Sequence, residues 1–457
     1  MRLRSPAGPP STGRRSHGLR NPAQVIVLAF AAATAVGTAL LLLPAATPGP
    51  GHASLMEALF TATSAVCVTG HLVVNTATYW SVFGQVVILA LIQVGGFGVM
   101  TLASLLGLLV SRRLGLRSRI TAAAETRSIG IGDVRRVIVG VVLASLLLEA
   151  LAAAALTTRF YFGYQEPAGQ ALWHGVFHAV SAFNNAGFSL FEDNLVDFAA
   201  DPWICLPIAF AVIAGGLGFP VLLQLRREIT RPRLWTLNTR LVLATTAALL
   251  VSSTAFITAM EWNNDDTLGK LSPGGRLLAG FFQAVITRTA GFNSVDIGAL
   301  DSATWLGMDV LMFIGGGPAG TAGGLKVTTF AVLYFIIYSE LRGDGAVNAL
   351  GKRLPRSTHR QAATVALLAV AVVVTSTVAL LIMTEFSLDR ILFEVISAFA
   401  TVGLSTGITP DLPVAGQLIL VLLMFLGRVG PVTLASALAL RHTTRLYELP
   451  KEQPIIG

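Results

Sequence analysis

Long apolar stretches alternate with polar segments along the whole chain. Each of eight stretches holds about 20 or more predominantly apolar residues, the length that crosses the hydrocarbon core of a bilayer. They are residues 22–44, 80–110, 137–158, 203–225, 238–260, 304–339, 361–384 and 415–440. Several exceed the length that one crossing needs, which indicates tilting, breaks or protrusion. The pattern therefore predicts eight membrane spans.

Composition agrees with this pattern and narrows the class of protein. Of the 457 residues, 54% are hydrophobic and only 12% are charged, and the mean hydropathy is +0.71. Soluble domains carry about 25% charged residues. The chain is therefore predicted to be an integral membrane protein with the lipid bilayer as its surroundings.

The placement of positive charge predicts the orientation of the chain. Of 32 Lys and Arg residues, 25 lie in the N-terminal tail, in the linkers after the second, fourth and sixth spans, or in the C-terminal tail. The opposite loops carry five, namely Arg159, Lys270, Arg276, Arg288 and Arg390. By the positive-inside rule, both termini and the linkers are cytoplasmic. We expect a multi-pass protein of the plasma membrane. This placement explains the net charge of +8 without a nucleic-acid partner.

The N-terminal residues 1–20 are rich in Ser, Pro, Gly and Arg, which predicts a disordered basic cytoplasmic tail. The first apolar run is long enough to span and has no persuasive cleavage site, so we expect an uncleaved helix rather than a signal peptide.

A fourfold repeat organises the remaining chain. A Phe followed ten positions later by a Gly occurs at 60–70, 177–187, 281–291 and 393–403, each time between two apolar stretches. The predicted repeats are residues 21–115, 116–233, 234–352 and 353–457, the last including a cytoplasmic C-terminal tail. Repetition at this scale marks a repeated structural unit. We therefore expect an all-α polytopic membrane protein with four pseudo-symmetric helix–pore loop–helix repeats around one central ion pore.

The repeated segment suits a cation filter. Its first residues can form a half-length helix, and its last residues are small and end in Gly. Non-helical backbone at membrane depth is tolerated where it is buried in protein or lines water. Rings of backbone carbonyls replace the hydration shell of K⁺, and the C-terminal ends of the short helices favour cations. The predicted filter, with K⁺ at its backbone carbonyls, comprises Val68, Thr69, Gly70, Asn185, Ala186, Gly187, Thr289, Ala290, Gly291, Thr401, Val402 and Gly403.

Polar side chains flank the loop glycines and leave two interpretations open. They are Thr69, Asn184, Asn185, Thr289 and Thr401. Their hydroxyl and amide groups either line the path or hold the loops in shape.

Four segments resemble the Trk/Ktr/HKT superfamily of potassium transporters. They are residues 60–70, 93–98, 287–293 and 315–330, which read FTATSAVCVTG, QVGGFG, TRTAGFN and GGGPAGTAGGLKVTTF. The resemblance covers about residues 22–457. The eight spans and the ending Pro454-Ile-Ile-Gly457 are more similar to the Ktr membrane subunit than to the larger TrkH type.

The resemblance implies a dimeric potassium-uptake subunit controlled by a cytosolic ring of RCK nucleotide-binding subunits. The family's filter glycines correspond to Gly70, Gly187, Gly291 and Gly403. A glycine at position 70, where some sodium-transporting plant relatives have serine, favours potassium. Sodium transport by the same fold is the alternative, and Na⁺ is a candidate coupling or activating ion. No cofactor is expected in this chain.

A broken segment and two intramembrane cations predict a gate. Residues 315–324 contain six glycines and one proline, a composition that interrupts a helix. In the resembling family this loop lies beneath the filter and acts as the gate. The predicted gate comprises Gly315, Gly316, Gly317, Pro318, Ala319, Gly320, Thr321, Ala322, Gly323, Gly324, Lys326 and Arg428.

Two interpretations are open for each of these cations, because an ionised group at membrane depth needs a partner or water. Arg428 either forms part of a barrier to cations or bonds the freed carbonyls of its own broken helix. Lys326 either moves with or anchors the loop, or it snorkels near the inner face.

Other polar residues give weaker signals. Glu149 lies mid-span with no partner evident in the sequence, and Arg288 is expected to face away from the path and to pair with Glu57 or Glu394. His174 and His178 have a spacing compatible with a metal site, but no third ligand is evident, so we interpret them as ordinary residues of a short helix. The few scattered His, Cys and acidic residues within the spans also argue against an intramembrane enzyme.

Overall fold

The computed structural model describes residues 22–49, 51–113 and 134–430. The predicted N-terminal tail and the end of the chain lie outside these residues. Repeat one contains α1 (Pro22–Leu41), α2 (Leu55–Val66), α3 (Thr76–Tyr79) and α4 (Val82–Arg113). Repeat two contains α5 (Val134–Gly163), α6 (Ala168–Phe183), α7 (Pro202–Leu217) and α8 (Phe219–Glu228).

The second half of the chain follows the same order. Repeat three contains α9 (Leu237–Glu261), α10 (Pro273–Thr287), α11 (Ser302–Phe313) and α12 (Val327–Leu341). A small antiparallel hairpin, β1 (Asn348–Ala349) and β2 (Lys352–Arg353), precedes repeat four. Repeat four contains α13 (Arg356–Met383), α14 (Leu388–Ala400) and α15 (Val414–Val429). Short 3₁₀ turns occupy Pro44–Ala46, Val196–Phe198, Pro232–Leu234, Leu268–Lys270 and Ile297–Ala299.

The predicted half-length helices are α2, α6, α10 and α14. They contain 12, 16, 15 and 13 residues, too few to cross a bilayer. Their starts are fixed locally: Ser54 and Glu57 form a capping box on α2, and Ser272 caps α10 by accepting a hydrogen bond from Gly275 N. Polar caps satisfy the free N–H groups at a helix start, so these helices begin where the sequence turns from polar to apolar.

Four helices, α1, α5, α9 and α13, contain segments long and apolar enough to cross a membrane, considering only the residues that the structure describes. Helices α7 and α8 add a fifth crossing if they are taken together, although they meet at 101°. The bend lies at Gly218, whose φ is +89°, and Pro220 follows two residues later. The sequence predicted one span over residues 203–225 and did not locate this break.

Two other long predicted spans also differ from single continuous helices in the structure. The predicted span 304–339 consists of α11 and α12, separated by the glycine-rich segment. Helix α15 ends at Val429 inside the predicted span 415–440, and the rest of that span lies outside the described residues. The predicted tendency of the longest apolar stretches to break is therefore confirmed at the glycine-rich segment.

The half-length helices form the centre of the molecule. Phe60, Phe177 and Phe393 are fully buried; in repeat three the fully buried residue is Phe282, next to Phe281 of the Phe-to-Gly spacing. Large apolar side chains such as Leu151 and Leu367 are exposed on the outer helices, as expected for faces that meet lipid. Helix α15 of repeat four contacts α2 of repeat one, so the repeats close into a ring.

Candidate functional site

The four loop glycines meet in a second, tighter ring, here called the glycine ring. A Cβ atom added to any of them would overlap the carbonyl oxygen of the residue preceding the next glycine. The overlaps run from Gly70 to Ala186, from Gly187 to Ala290, from Gly291 to Val402 and from Gly403 to Thr69. The φ angles of the glycines are +82°, +68°, +62° and +94°. Only glycine combines this backbone conformation with such close contact, which explains the repeated residue.

In repeats one, two and four, the backbone makes the same turn just before the ring glycine. In each, the N–H group before the glycine donates to a serine carbonyl five residues back, and the residue two before the glycine has a positive φ. The donor–acceptor pairs are Thr69 to Ser64 at 2.8 Å, Ala186 to Ser181 at 2.7 Å and Val402 to Ser397 at 2.9 Å. Repeat three differs, because Ala290 N donates to Ile286 O instead, at 2.9 Å, and Thr289 does not adopt a positive φ.

The twelve predicted filter residues are all buried and lie together at this ring. The carbonyls of Thr69, Ala186 and Val402 accept no hydrogen bond from the described residues, whereas Ala290 O accepts one from Phe292 N at 2.8 Å. Buried polar atoms in proteins are normally paired. The side-chain hydroxyls of Thr69 and Thr401 are likewise buried and unpaired within the described part of the chain. The ring thus concentrates oxygen atoms that are available to a cation.

The flanking amides divide between the two roles left open by the sequence. Asn184 Nδ2 lies 2.9 Å from Gln93 Oε1 and 3.1 Å from Glu149 Oε1, so it ties its loop to the helices behind it. Asn185 instead lies 2.6 Å from Thr289 Oγ1 and 2.8 Å from Thr321 Oγ1. Its amide nitrogen fits best toward Phe183 O, Val212 O and Thr321 Oγ1, which leaves the oxygen to accept from Thr289. Asn185 therefore joins repeats two and three.

Residues 314–326, here called the crossing loop, connect α11 and α12 by a path through the centre of the molecule. The two ends of the crossing loop pair with each other, since Gly315 N donates to Leu325 O at 2.8 Å. Its middle bonds to the break in repeat two: Gly317 N donates to Gly216 O at 2.7 Å, and Phe219 N donates to Ala319 O at 3.3 Å. A Cβ on Gly323 would overlap Thr401 Oγ1 of the fourth predicted filter segment. The crossing loop therefore packs directly against the glycine ring.

Three buried or half-buried cations bond carbonyls of the crossing loop. Arg428, only 6% exposed, donates through Nη1 to Thr321 O and through Nη2 to Gly95 O, the latter at 3.4 Å. Lys326 Nζ donates to Ala322 O at 2.6 Å. In the described residues none of these cations forms an ion pair with a carboxylate.

These contacts bear on the two interpretations left open for each cation. The carbonyls that Arg428 bonds belong to repeats three and one and not to its own helix. Lys326 bonds the loop four residues before it, which favours the anchoring interpretation.

The third cation is Arg288, and the pairing expected for it was wrong. Its Nη2 lies 3.4 Å from Gly315 O at the start of the crossing loop. Glu57 instead accepts from Ser54 and from Tyr79 Oη, and Glu394 is occupied by His71 and by neighbouring hydroxyls. Arg288 follows the C-terminal end of α10, whereas Glu57 and Glu394 lie in the first half or the middle of their helices. The sequence did not indicate this difference in depth.

The structure also supplies partners that the sequence did not reveal. Glu149 accepts from Gln93 Nε2 at 2.9 and 3.1 Å, so the intramembrane carboxylate is satisfied by amides. His174 pairs with Glu166 at 3.0 Å, while His178 bonds His174 O and Ser189. The described residues contain no group of three or more potential metal ligands. Partners so distant in sequence could not be inferred from spacing alone.

Comparison with known proteins assigns the family. The profile of TrkH, described as a cation transport protein, matches residues 11–444. The chain is 40% identical over 420 residues to Ktr system potassium uptake protein B of Bacillus subtilis, covering 92% of this chain and 93% of that protein. It is 33% identical to the potassium/sodium uptake protein NtpJ of Enterococcus hirae, covering 96% and 97%.

The fold agrees with this assignment. The crystal structure of the potassium transporter TrkH from Vibrio parahaemolyticus superposes with a TM-score of 0.73 at 18% sequence identity, covering 93% of this chain and 87% of that one. The likeness confirms the predicted all-α membrane architecture, and the family profile indicates a transporter rather than an enzyme. With its apolar helices and its glycine ring, the chain is a multi-pass membrane protein that belongs to the TrkH family of cation transport proteins.

Proposed function

We propose that this protein takes up potassium through the glycine ring, which acts as the selectivity filter. The observation that carries the proposal is the mutual contact of four loops, each of which places a backbone carbonyl against the next glycine. A ring of carbonyls can substitute for the hydration shell of a weakly hydrated cation. The filter residues are the twelve predicted from the sequence. Relatives described as potassium uptake proteins share 35 to 40% of its residues.

The proposed gate is the crossing loop, which includes Lys326, together with Arg428. Its packing against Thr401 and its hydrogen bonds to Gly216 support a closed position next to the filter. Arg428 contributes both a positive charge that opposes cations and a bond that holds the loop at Thr321 O. Opening requires these contacts to break, so a cytosolic partner that pulls on the adjoining helices can control flux.

The proposed assembly is a Ktr-type system in the plasma membrane. In it, two copies of this chain form a homodimer above a cytosolic RCK-type nucleotide-binding ring. Two relatives are named as B proteins of Ktr systems, which supports a multi-component assembly. The concentration of Lys and Arg in the linkers between repeats supports cytoplasmic termini. Any nucleotide sensing then resides in the partner.

Growth and flux measurements test the potassium assignment. Expression in a bacterial strain that lacks its own potassium uptake systems should restore growth at limiting potassium. The purified chain in liposomes should then admit K⁺ in preference to Na⁺. Failure in both assays would contradict the proposal, and growth rescue without direct flux would indicate that the partner ring is needed for opening.

Sodium transport is the second candidate, favoured by the 33% identity to a protein described as a potassium/sodium uptake protein. Liposomes loaded with either ion separate the two functions. Na⁺ flux in the absence of K⁺ would support sodium as cargo. An increase in K⁺ flux on adding Na⁺, without Na⁺ entry, would instead support Na⁺ as an activating ion, and accompanying Na⁺ entry would support coupling.

A further inference from the structure

The residue nine positions before each ring glycine occupies the same place in each half-length helix. In repeats one to four these residues are Thr61, His178, Phe282 and Glu394. All four are buried, with exposures of 2%, 0%, 0% and 0%. Two of them, in the diagonally opposite repeats two and four, bond the segment that leaves the glycine ring.

His178 makes this contact in repeat two. Its Nδ1 lies 2.8 Å from His174 O, and because a carbonyl can only accept, Nδ1 carries the hydrogen. In the neutral ring Nε2 is then an acceptor, 3.0 Å from Ser189 Oγ and 3.4 Å from Leu190 N. Phe191 stacks on the imidazole, with ring centroids 4.8 Å apart. His178 therefore holds the second and third residues after Gly187.

Glu394 makes the equivalent contact in repeat four. Its Oε1 accepts from Ser405 Oγ at 2.7 Å and from Thr406 N at 2.8 Å. Ser405 and Thr406 are the second and third residues after Gly403, and so correspond to Ser189 and Leu190. A histidine and a glutamate thus accept hydrogen bonds from the outgoing segment at symmetric positions. Because the two residues differ, the sequence alone does not reveal this correspondence.

Glu394 also reaches across the boundary between repeats four and one. Its Oε2 lies 2.6 Å from Nε2 of His71, the residue directly after Gly70, and accepts from Thr409 Oγ1 at 2.8 Å. The other three residues that directly follow a ring glycine are apolar: Phe188, Phe292 and Leu404. His71 and Glu394 are both fully buried. The carboxylate therefore connects the exits of two neighbouring filter segments.

We propose that His178 and Glu394 are positioning residues for ion selectivity, with His71 as the partner that joins repeat one to repeat four. The proposal rests on the proposed function of the glycine ring as a filter. Each residue fixes the backbone that leaves a ring glycine, and thereby fixes the direction of the carbonyl groups on either side of that glycine. Repeats one and three have no equivalent side-chain bond in the described residues. The ring is therefore held by two such contacts on opposite sides, those of His178 and Glu394, here called braces.

The physical reason lies in the small tolerance of a filter. Discrimination between cations depends on the number and placement of coordinating oxygens. A misplacement of about 1 Å can cost roughly a hundredfold in a process that depends on precise geometry. A buried polar network with several hydrogen bonds restricts such movement more than apolar packing does.

Competitive flux of K⁺ against Na⁺ in liposomes tests the proposal. Glu394→Leu and His178→Leu remove the acceptors, and we expect the K⁺ over Na⁺ preference to fall by about tenfold or more. Glu394→Gln and His178→Gln retain an acceptor oxygen for the outgoing segment and should recover most of the preference. Thr61→Val, at the same position in repeat one, removes no brace and is the matched control, with selectivity unchanged.

Milder variants keep the test decisive if the leucine variants do not fold. Ser189→Ala and Ser405→Ala each remove one hydroxyl from the braced segment, and each should lower selectivity while leaving the amount of folded protein unchanged. Wild-type selectivity in the folded leucine or alanine variants would overturn the inference. If the wild-type chain itself prefers Na⁺, the proposed function fails, while a changed ion preference in the variants still supports the braces.

Discussion

Replacing Gly70 by serine should weaken the preference for K⁺ over Na⁺. Gly70 has a φ of +82°, which costs an L-residue about 1–2 kcal/mol. The added Cβ would also overlap Ala186 O and lie 3.0 Å from Gly187 Cα. Both atoms belong to the backbone of the neighbouring filter segment, so no side-chain rotation can relieve the contact. The ring must move instead.

The size of the effect follows from this strain. A strain of about 1–2 kcal/mol corresponds to a factor of roughly 5–30 in an equilibrium constant. Because the displaced groups are the proposed ligands, we expect the K⁺ over Na⁺ preference to fall by about tenfold. The overlap with Ala186 O adds to the strain, so this figure is a lower bound.

The measurement is uptake of K⁺ by liposomes in rising concentrations of competing Na⁺. Gly351→Ser is the matched control, because Gly351 has a similar φ of +79° in the turn between β1 and β2 and no neighbouring atom within 4 Å of an added Cβ. It introduces the same backbone strain far from the ring and should leave selectivity unchanged. Unaltered selectivity in folded Gly70→Ser, or an equal loss in Gly351→Ser, would refute the assignment of Gly70 to the filter.

Three further predictions concern the groups around the ring. Arg428→Ala removes the bonds to Thr321 O and Gly95 O and should raise K⁺ flux by about tenfold through a displaced crossing loop, while the exposed Arg342→Ala should not; equal flux in both would argue against Arg428 as a gate residue. Deletion of Ala319 and Gly320 removes the bond from Phe219 N and should raise flux with selectivity retained, so lost selectivity would contradict a separate gate. Glu149→Ala leaves Gln93 Nε2 without its acceptor, removes one of the acceptors of Asn184 Nδ2, and should destabilise the protein by about 1–3 kcal/mol, seen as a lower Tm in detergent. Glu149→Gln should lose less, and an unchanged Tm in the alanine variant would show that the cluster adds no stability.

The repeated architecture could be predicted from the sequence because the patterns that indicate it lie within short stretches of the chain. Hydropathy located the long helices, and the spacing from Phe to Gly located all four ring glycines. Charge counting isolated Lys326 and Arg428 as intramembrane cations, and both contact the crossing loop. Each of these inferences needs only composition within a short window.

Long-range contacts were not accessible in the same way. The bend at Gly218 depends on hydrogen bonds to a loop about 100 residues further along the chain, as does the position of the crossing loop itself. The expected pairing of Arg288 with an acidic residue was wrong, because opposite charge does not show whether two residues lie at the same depth along their half-length helices. Glu394 was noted only as a partner for Arg288; its bond to Ser405 depends on the path of the loop after Gly403, and its bond to His71 depends on how two repeats meet.

Repeat three shows what a single polypeptide permits. A pore assembled from four identical subunits must carry every insertion in four copies, and four segments the size of the crossing loop would compete for one axis. Here repeat three alone lacks the shared turn, at Thr289, and carries the crossing loop, which packs against Gly216 of repeat two and Thr401 of repeat four. A single polypeptide can thus place one loop, from one repeat, at the centre, with neighbouring repeats packed against it.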